Sequence, residues 1–339
     1  MLNRRCQCVL VLTTGFLFWS LSGLSQADEA QIRAQSKALA HYIMASVDDL
    51  QGDNQQAMNE YEKSLKYNSQ EALPHLRLGS YYARLGRLNE AIRQFKFVLK
   101  VNPNSSEAHY MLALIYSTQK NFPLAANEYE AVLKMAAQDN PDNSDVHAYL
   151  AQLYYALRKF PQAQEQLSQV LRFQPKNVSA LYLEGNIYLE LGEKEKAKED
   201  FRRVLSVEFN HDGALNCLAY LYADEGINLY EALKMVKRAI DLDPTNGAYY
   251  DTLGWVLFKQ GFNQEALMAF EKAQKFITDP VIFEHMGDVY NASHEPALAR
   301  QFWQKSLAMD PKQIKLSQKL EELNKTSARN QGAQYHTAK

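Results

Sequence analysis

The stretch Tyr249–Ala273 reads YYDTLGWVLFKQGFNQEALMAFEKA and contains the two-helix pattern on which the chain is built. It has small residues at Gly254 and Ala266, and the large apolar Phe270 follows in the second half. Gly261 separates the two halves, at the point where a helix end favours a left-handed residue. Two antiparallel helices approach closely only where the touching positions carry little side chain. The stretch therefore predicts a tightly packed helical hairpin.

The same pattern recurs in eight consecutive units, separated by steps of 34, 34, 38, 34, 34, 35 and 33 residues. The units begin near Ala38, Ala72, Ser106, Ser144, Val178, Asp212, Gly247 and Pro280. The eighth position of every unit is small: Ala45, Gly79, Ala113, Ala151, Gly185, Ala219, Gly254 and Gly287. The twenty-fourth position is large in seven units: Tyr61, Phe95, Tyr129, Leu167, Phe201, Phe270 and Trp303. A fixed period of this length indicates stacked helical repeats and an all-α fold.

This pattern resembles the tetratricopeptide repeat (TPR) family over residues 38–313. The resemblance implies a right-handed α-solenoid of about eight helix–turn–helix units. The phrases Tyr249–Ala273 and Asp279–Tyr290 are similar to the repeats of exported bacterial cell-envelope proteins. The first unit matches least well, and terminal repeats often act as caps.

The segments outside and between the repeats have their own predicted structures. Residues 28–37 are expected to form a lead-in helix, and residues 314–326 a capping helix that covers the last repeat. The polar residues 327–339 are predicted to be disordered. The four extra residues of the third unit are expected in a loop over residues 136–143, which read AAQDNPDN.

The first 27 residues have the pattern of a secretory signal peptide. Arg4 and Arg5 precede an uncharged run from Val9 to Leu24, and small residues follow up to Ala27. Cleavage after Ala27 would change the formal net charge from −2 to −4 and would release an exported protein, periplasmic in a diderm bacterium. After cleavage, we expect no segment of the mature protein to be inserted in the membrane. The alternative is an uncleaved inner-membrane anchor formed by residues 9–24, although this run is shorter than the roughly 20 residues that span a bilayer.

Composition and motifs exclude several function classes. The chain has 37 basic and 39 acidic residues, so the excess of positive charge that nucleic-acid binding requires is absent. No phosphate loop, nucleophile elbow or zinc-protease motif occurs, and the repeat leaves no stretch for a catalytic domain. We therefore expect a non-enzyme without cofactor or metal. Cys217, the one cysteine outside the signal segment, is expected to be a small buried apolar residue.

The resemblance also implies where a ligand binds, because the first helix of each family repeat lines the concave side. The corresponding positions predict an aromatic groove with scattered amides and carboxylates, which suits protein or peptide ligands. The candidate groove residues are Tyr42, Tyr110, Tyr155, Tyr182, Asn186, Asn216, Tyr220, Asp251, Trp255, Phe258 and Asp288. Packing of these rings between neighbouring repeats is the alternative interpretation. A carboxylate clamp is excluded, because no fifth position of a unit carries a lysine or arginine.

The first four units place a histidine at the fourth position: His41, His75, His109 and His147. Equivalent atoms in successive repeats lie about 10 Å apart, so these rings cannot converge on one zinc ion. They are expected to pack between helices. A further hypothesis is that they titrate together at mildly acidic pH and loosen the first half of the array.

Two hypotheses for the function follow. The first is a non-catalytic scaffold or adaptor, exported to the cell envelope, that binds partner proteins in the groove. The alternative is a membrane-anchored structural component that self-associates through its convex face or its end helices.

Overall fold

The computed structural model describes the backbone of residues 25–337 and the side chains of residues 25–325. Within this range the chain is all-α, with seventeen helices and no strand. The helices are α1 (Gln26–Gln51), α2 (Asn54–Tyr67), α3 (Ala72–Arg84), α4 (Leu88–Val101), α5 (Ser106–Thr118), α6 (Phe122–Asp139), α7 (Ser144–Ala156), α8 (Phe160–Phe173), α9 (Val178–Glu190), α10 (Lys194–Val207), α11 (Asp212–Glu225), α12 (Leu229–Leu242), α13 (Gly247–Lys259), α14 (Asn263–Ala273), α15 (Pro280–Ala292), α16 (Pro296–Met309) and α17 (Ile314–Thr337).

The helices form a series of hairpins, as expected for an α-solenoid. Within the hairpins, α1 packs on α2, α3 on α4, α5 on α6, α9 on α10, α11 on α12, α13 on α14, and α15 on α16. In units two to eight the first helix begins at the residue where the sequence period starts. The chain divides within α7 into an N-terminal unit, which ends at Leu153, and a C-terminal unit, which begins at Tyr154.

The small residue at the eighth position makes the closest contact within the hairpin. A Cβ atom added at Gly79 or Gly185 would lie 2.8 Å from the ring of Phe95 or Phe201, respectively. At Gly254 it would lie 2.5 Å from the Phe270 ring, which is fully buried. Because carbon atoms do not approach so closely, the glycine is what allows the ring to pack directly against the first helix.

The turn between the two helices of a repeat has a left-handed residue at the fifteenth position of each unit. This residue is glycine in five units, including Gly86 with φ +72°. The other three units have Lys120, Arg158 and His294 there, with φ between 56° and 61°. A side chain in this conformation costs roughly 1–2 kcal/mol. The turn geometry is therefore shared by all units, and the residue type at this position affects stability.

Two segments differ from the sequence expectation, and a third, the lead-in, is helical as expected but is not a separate helix. The lead-in over residues 28–37 is continuous with the first repeat helix, since α1 begins at Gln26 and is capped by Ser25. The third unit absorbs its extra residues by extending α6 to Asp139, so residues 136–139 are helical rather than part of a loop. Helix α17 continues to Thr337 through the segment predicted to be disordered. Extending an existing helix requires no new nucleus, which favours continuation in all three places.

The two ends of the chain are described to different extents. The signal segment lies almost entirely outside the described residues. None of the helices between residues 25 and 337 is both long and apolar enough to cross a membrane. At the other end, Leu316 is buried against Trp303 and Ala299, while Ile314 is exposed. Helix α17 therefore packs on the last repeat through Leu316 rather than Ile314.

We expect Gly254→Ala to destabilise the fold by about 1–3 kcal/mol, because the new methyl group overlaps the Phe270 ring. Phe270→Leu should relieve the overlap, since the fourth unit pairs Ala151 with Leu167. Urea unfolding of the two single variants and the double variant, followed by circular dichroism, measures the coupling. Strictly additive free energies would contradict the proposed contact.

We expect Lys120→Gly to stabilise the protein by about 1 kcal/mol, because glycine adopts the left-handed conformation without a steric cost. The reverse change at the equivalent turn, Gly86→Lys, should lower stability by a similar amount. Thermal unfolding of both variants tests the pair. Equal shifts of the same sign would show that the turn conformation does not decide the effect.

Candidate functional site

The eleven predicted groove residues all lie on first helices of the hairpins, but they fall in both compact units. Tyr42 and Tyr110 belong to the N-terminal unit, on α1 and α5. The other nine begin with Tyr155 and belong to the C-terminal unit. The two groups differ in how far neighbouring repeats cover their side chains.

In the N-terminal unit an aromatic pocket opens between α5, α6 and α7. Tyr110 is 48% exposed, and its ring meets that of Tyr129 edge-on, with 6.4 Å between the centroids. Tyr149 on α7 is 59% exposed on the other side of the pocket. The complete lining is Tyr110, Tyr129, Val132, Leu133, Tyr149, Gln152 and Leu153. The lining is apolar apart from the phenol groups and one amide, so it suits an apolar or aromatic side chain of a ligand.

Tyr42 borders a second pocket of the N-terminal unit. Its half-buried ring lies 5.7 Å from the ring of Tyr61, and the pocket extends to Leu39 and Leu73. Leu39 and Leu73 occupy the second position of their units and are both exposed. Tyr42 therefore forms part of an accessible surface between the first two repeats.

In the C-terminal unit the fifth position of one repeat contacts the sixth position of the next. The phenol of Tyr182 lies close to the Cys217 thiol. His285 Nδ1 lies 2.9 Å from Asp251 Oδ1, and Lys319 Nζ donates to Glu284 Oε1 at 2.9 Å. Tyr182 and Asp251 are predicted groove residues. In the structure they pack between consecutive repeats, which is the alternative interpretation given above for such positions.

Tyr182 is held in place by the following repeat. A Cβ atom added at Gly213 would lie 2.5 Å from the Tyr182 hydroxyl, so this glycine makes room for the ring. Burial raises the pKa of the Tyr182 phenol well above its ordinary value. Burial likewise raises the pKa of the Cys217 thiol to about 11. A thiol that stays protonated near neutral pH is a poor nucleophile, which agrees with the structural role expected for Cys217.

Trp255 is only 8% exposed, so its ring is not an open binding surface. It stacks on His285 with 4.3 Å between the centroids and lies 5.4 Å from the ring of Phe258. His285 comes from the next repeat, which explains why the sequence of α13 alone suggested an accessible ring. The indole N–H is buried without a hydrogen-bond partner among the described residues.

Tyr220 lies half-buried among carboxylates on the same surface. Burial, followed by the nearby Asp224, Asp251 and Glu284, raises the pKa of its phenol to about 12. The phenol therefore keeps its proton at neutral pH and can donate a hydrogen bond. Asp224 accepts from Lys194 Nζ at 2.5 Å, so this carboxylate, like the other two, already has a cationic or histidine partner.

Asp288 and Phe258 border the capping helix rather than an open groove. Asp288 accepts hydrogen bonds from Trp303 Nε1 at 3.1 Å and from Lys319 Nζ at 2.8 Å. Phe258 lines a cavity next to these groups, together with Leu323 of α17. Asp288 is therefore a structural anchor for the C-terminal helix.

Three further predicted residues are half-buried on the first helices. The pKa of the Tyr155 phenol is raised by burial and by Glu190. Asn186 lies close to the Tyr182 phenol. Asn216 has a buried Oδ1 without a hydrogen-bond partner in the described part of the chain.

Two of the four histidines in the first four units contact a carboxylate on the second helix of their own repeat. His41 Nδ1 and His109 Nδ1 lie 2.6 Å from Glu60 and Glu128, respectively. The Nε2 atom of His109 lies 3.0 Å from the carbonyl oxygen of Pro103. A proton added to His41 or His109 would strengthen a contact with a carboxylate, so these contacts oppose the hypothesis of acid-induced loosening. Among the described residues, no group of three His, Cys, Asp or Glu side chains is arranged to hold a metal ion.

The sequence interpretation missed the sixth position of the repeat. Tyr149 lies there in the fourth unit, and Cys217 and His285 lie there in later units. Lys319 occupies the equivalent place if α17 is taken as the first helix of a ninth unit. A periodic alignment extended to this position would have identified it as a contact between consecutive repeats.

Sequence models of the tetratricopeptide repeat match residues 76–142, 118–183 and 178–211. A tetratricopeptide-repeat-containing protein of Pseudomonas aeruginosa is 26% identical over 118 residues, which make up 35% of this chain and 20% of that protein. The chain thus spans about a fifth of the length of this curated relative.

Two solved structures show the same fold. The Cut9–Hcn1 hetero-tetramer of the APC/C matches 79% of this chain and 52% of its own, with 16% identity and a TM-score of 0.54. PilW, described as a widely conserved type IV pilus biogenesis factor, matches 63% of this chain and 98% of its own, with 18% identity and a TM-score of 0.50. The repeat models assign residues 76–211 to the tetratricopeptide repeat family, and the two solved structures share their fold with this chain.

Proposed function

We propose that this chain is a non-catalytic scaffold of the cell envelope that binds segments of partner proteins on the first-helix surface of its N-terminal unit. Tetratricopeptide repeat proteins are in general protein-interaction scaffolds, and the repeat models cover the region of the proposed site. The observation that carries the proposal is the apolar pocket between the exposed rings of Tyr110 and Tyr149.

The pocket has the chemistry of a peptide-binding site. The tyrosine rings offer a large contact area at a small entropy cost, and their hydroxyl groups can bond to a peptide backbone. Val132 and Leu133 form an apolar floor that an aliphatic or aromatic side chain of the partner can cover. The ligand class that fits is therefore an apolar or aromatic peptide segment.

The same lining supports a non-catalytic role. It holds no carboxylate, histidine, lysine or cysteine, so it offers neither a general acid–base pair nor an activated nucleophile. The exposed rings of this pocket are also less covered by neighbouring repeats than the rings of the C-terminal unit. Tyr182 and Trp255 are engaged by the next repeat, and their substitution would disturb packing as well as binding.

Export to the envelope is supported by the sequence of residues 1–27, with its basic start, uncharged run and small residues. The likeness to a type IV pilus biogenesis factor is a likeness of fold. It is compatible with an envelope role but does not identify a partner.

Photo-crosslinking tests the proposed pocket. Benzoylphenylalanine incorporated at Gln152 should form adducts with a partner in the native host, and Tyr110→Ala with Tyr149→Ala should lower their yield at least fivefold. The matched control is Tyr230→Ala, which removes an exposed ring on the second helix α12. Equal adduct yields in both variants, with unchanged circular dichroism, would contradict binding at the pocket.

The intact mass of the protein recovered from its host tests export. Cleavage after Ala27 should yield a chain that begins at Asp28 and lies in the soluble envelope fraction. A full-length chain in the membrane fraction would instead support the anchored alternative. A full-length chain in the cytosol would contradict both.

A further inference from the structure

We propose that the first helix, α1, is a homodimerisation surface on which the α1 helix of a second copy packs in antiparallel orientation. This proposal does not depend on the tyrosine pocket. It rests on an apolar face of α1 that the described part of the chain leaves uncovered.

Repeat stacking normally covers this face. The tenth position of a unit is buried in six of the seven later units, at Tyr81, Ile115, Ile187, Leu221, Val256 and Val289. The corresponding residue of the first unit, Val47, is 44% exposed. Met44 at the seventh position is also exposed, whereas Leu78 and Leu112 at the same position of the next two units are buried. The first unit therefore carries stacking residues without a preceding repeat in the described chain to cover them.

The exposed residues extend this face into one long stripe. It consists of Ile32, Leu39, Ile43, Val47 and Leu50, all at least 44% exposed. Their spacing of seven, four, four and three residues keeps them on one side of a helix with 3.6 residues per turn. The stripe is about 27 Å long at 1.5 Å per residue. Residues 26–33 are all exposed, so the first part of α1 lies beyond the cover of its own hairpin.

The stripe is complementary to itself when one copy is reversed. With the centre of the pair at residue 41, Ile32 faces Leu50 of the second copy and Leu39 faces Ile43. The same register brings Arg33, which pairs with Glu29 on its own helix, to the level of Asp48 and Asp49 of the second α1. Antiparallel packing also sets the opposite ends of the two helix dipoles side by side. A single symmetric contact of this kind is the usual basis of a twofold dimer.

The size of the contact predicts a reversible dimer. A stable interface buries about 800 Å² of each partner, and one pair of helices supplies the lower end of this range. We therefore expect a concentration-dependent equilibrium between monomer and dimer rather than a permanent complex.

Sedimentation equilibrium of the protein purified from cells that express the full chain tests the proposal over a concentration series. The wild type should dimerise, and Ile43→Glu with Val47→Glu should raise the dissociation constant at least tenfold. The matched control is Phe122→Glu with Met268→Glu, which adds the same charge at two exposed apolar residues elsewhere. Because all four side chains are exposed, each variant should keep its helix content.

A charge reversal tests the antiparallel register. Arg33→Glu should weaken the dimer, and Asp48→Arg in the same chain should restore it.

If the variant Ile43→Glu with Val47→Glu lowers helix content, Ile43→Ser with Val47→Ser replaces it. A monomer at all concentrations would overturn the proposal. The apolar face of α1 would then be a candidate binding surface for a different protein. A dimer weakened equally by the control pair, or one that the reversal does not restore, would also overturn it.

Discussion

The structure depends on the contact between a small residue on the first helix of a repeat and a large side chain on the second. At Gly185 the Phe201 ring lies so close that a single added methyl group would overlap it. The same arrangement recurs at Gly287, under the indole of Trp303. Because this contact fixes the separation of the two helices, it also fixes which side chains emerge between hairpins. The left-handed turn at the fifteenth position closes each hairpin in the same way.

Repeat stacking determines which side chains of the first helices stay accessible in such an array. In the C-terminal unit, Tyr182 and Asp251 point from one first helix toward the next and make contacts there. These contacts hold consecutive repeats in register, and they leave the Tyr182 ring half-buried. In the N-terminal unit, Tyr110 and Tyr149 remain exposed and leave an apolar pocket between them. The surface available to a partner is therefore what stacking does not use.

The stacking faces of the first and last repeats are covered to different extents. At the C-terminal end, Lys319 of α17 binds Glu284 and Asp288 as the first helix of a further repeat would, and Leu316 is buried against Trp303. At the N-terminal end, α1 has no such cover in the described chain, and Ile43 and Val47 remain exposed. An uncovered stacking face of this kind favours association with another helix.

The sequence by itself determined the repeat and its hairpins, because the contacts that define them lie within about 34 residues and depend only on side-chain size. Gly254, Phe270 and Gly261 suffice to predict one such unit. Only the tertiary structure decided which rings are accessible, because that depends on residues one repeat away. Trp255 and Tyr149 are both large rings on first helices, yet His285 covers the former while the latter stays open. The sequence pattern of α17 likewise did not show that the helix continues to Thr337.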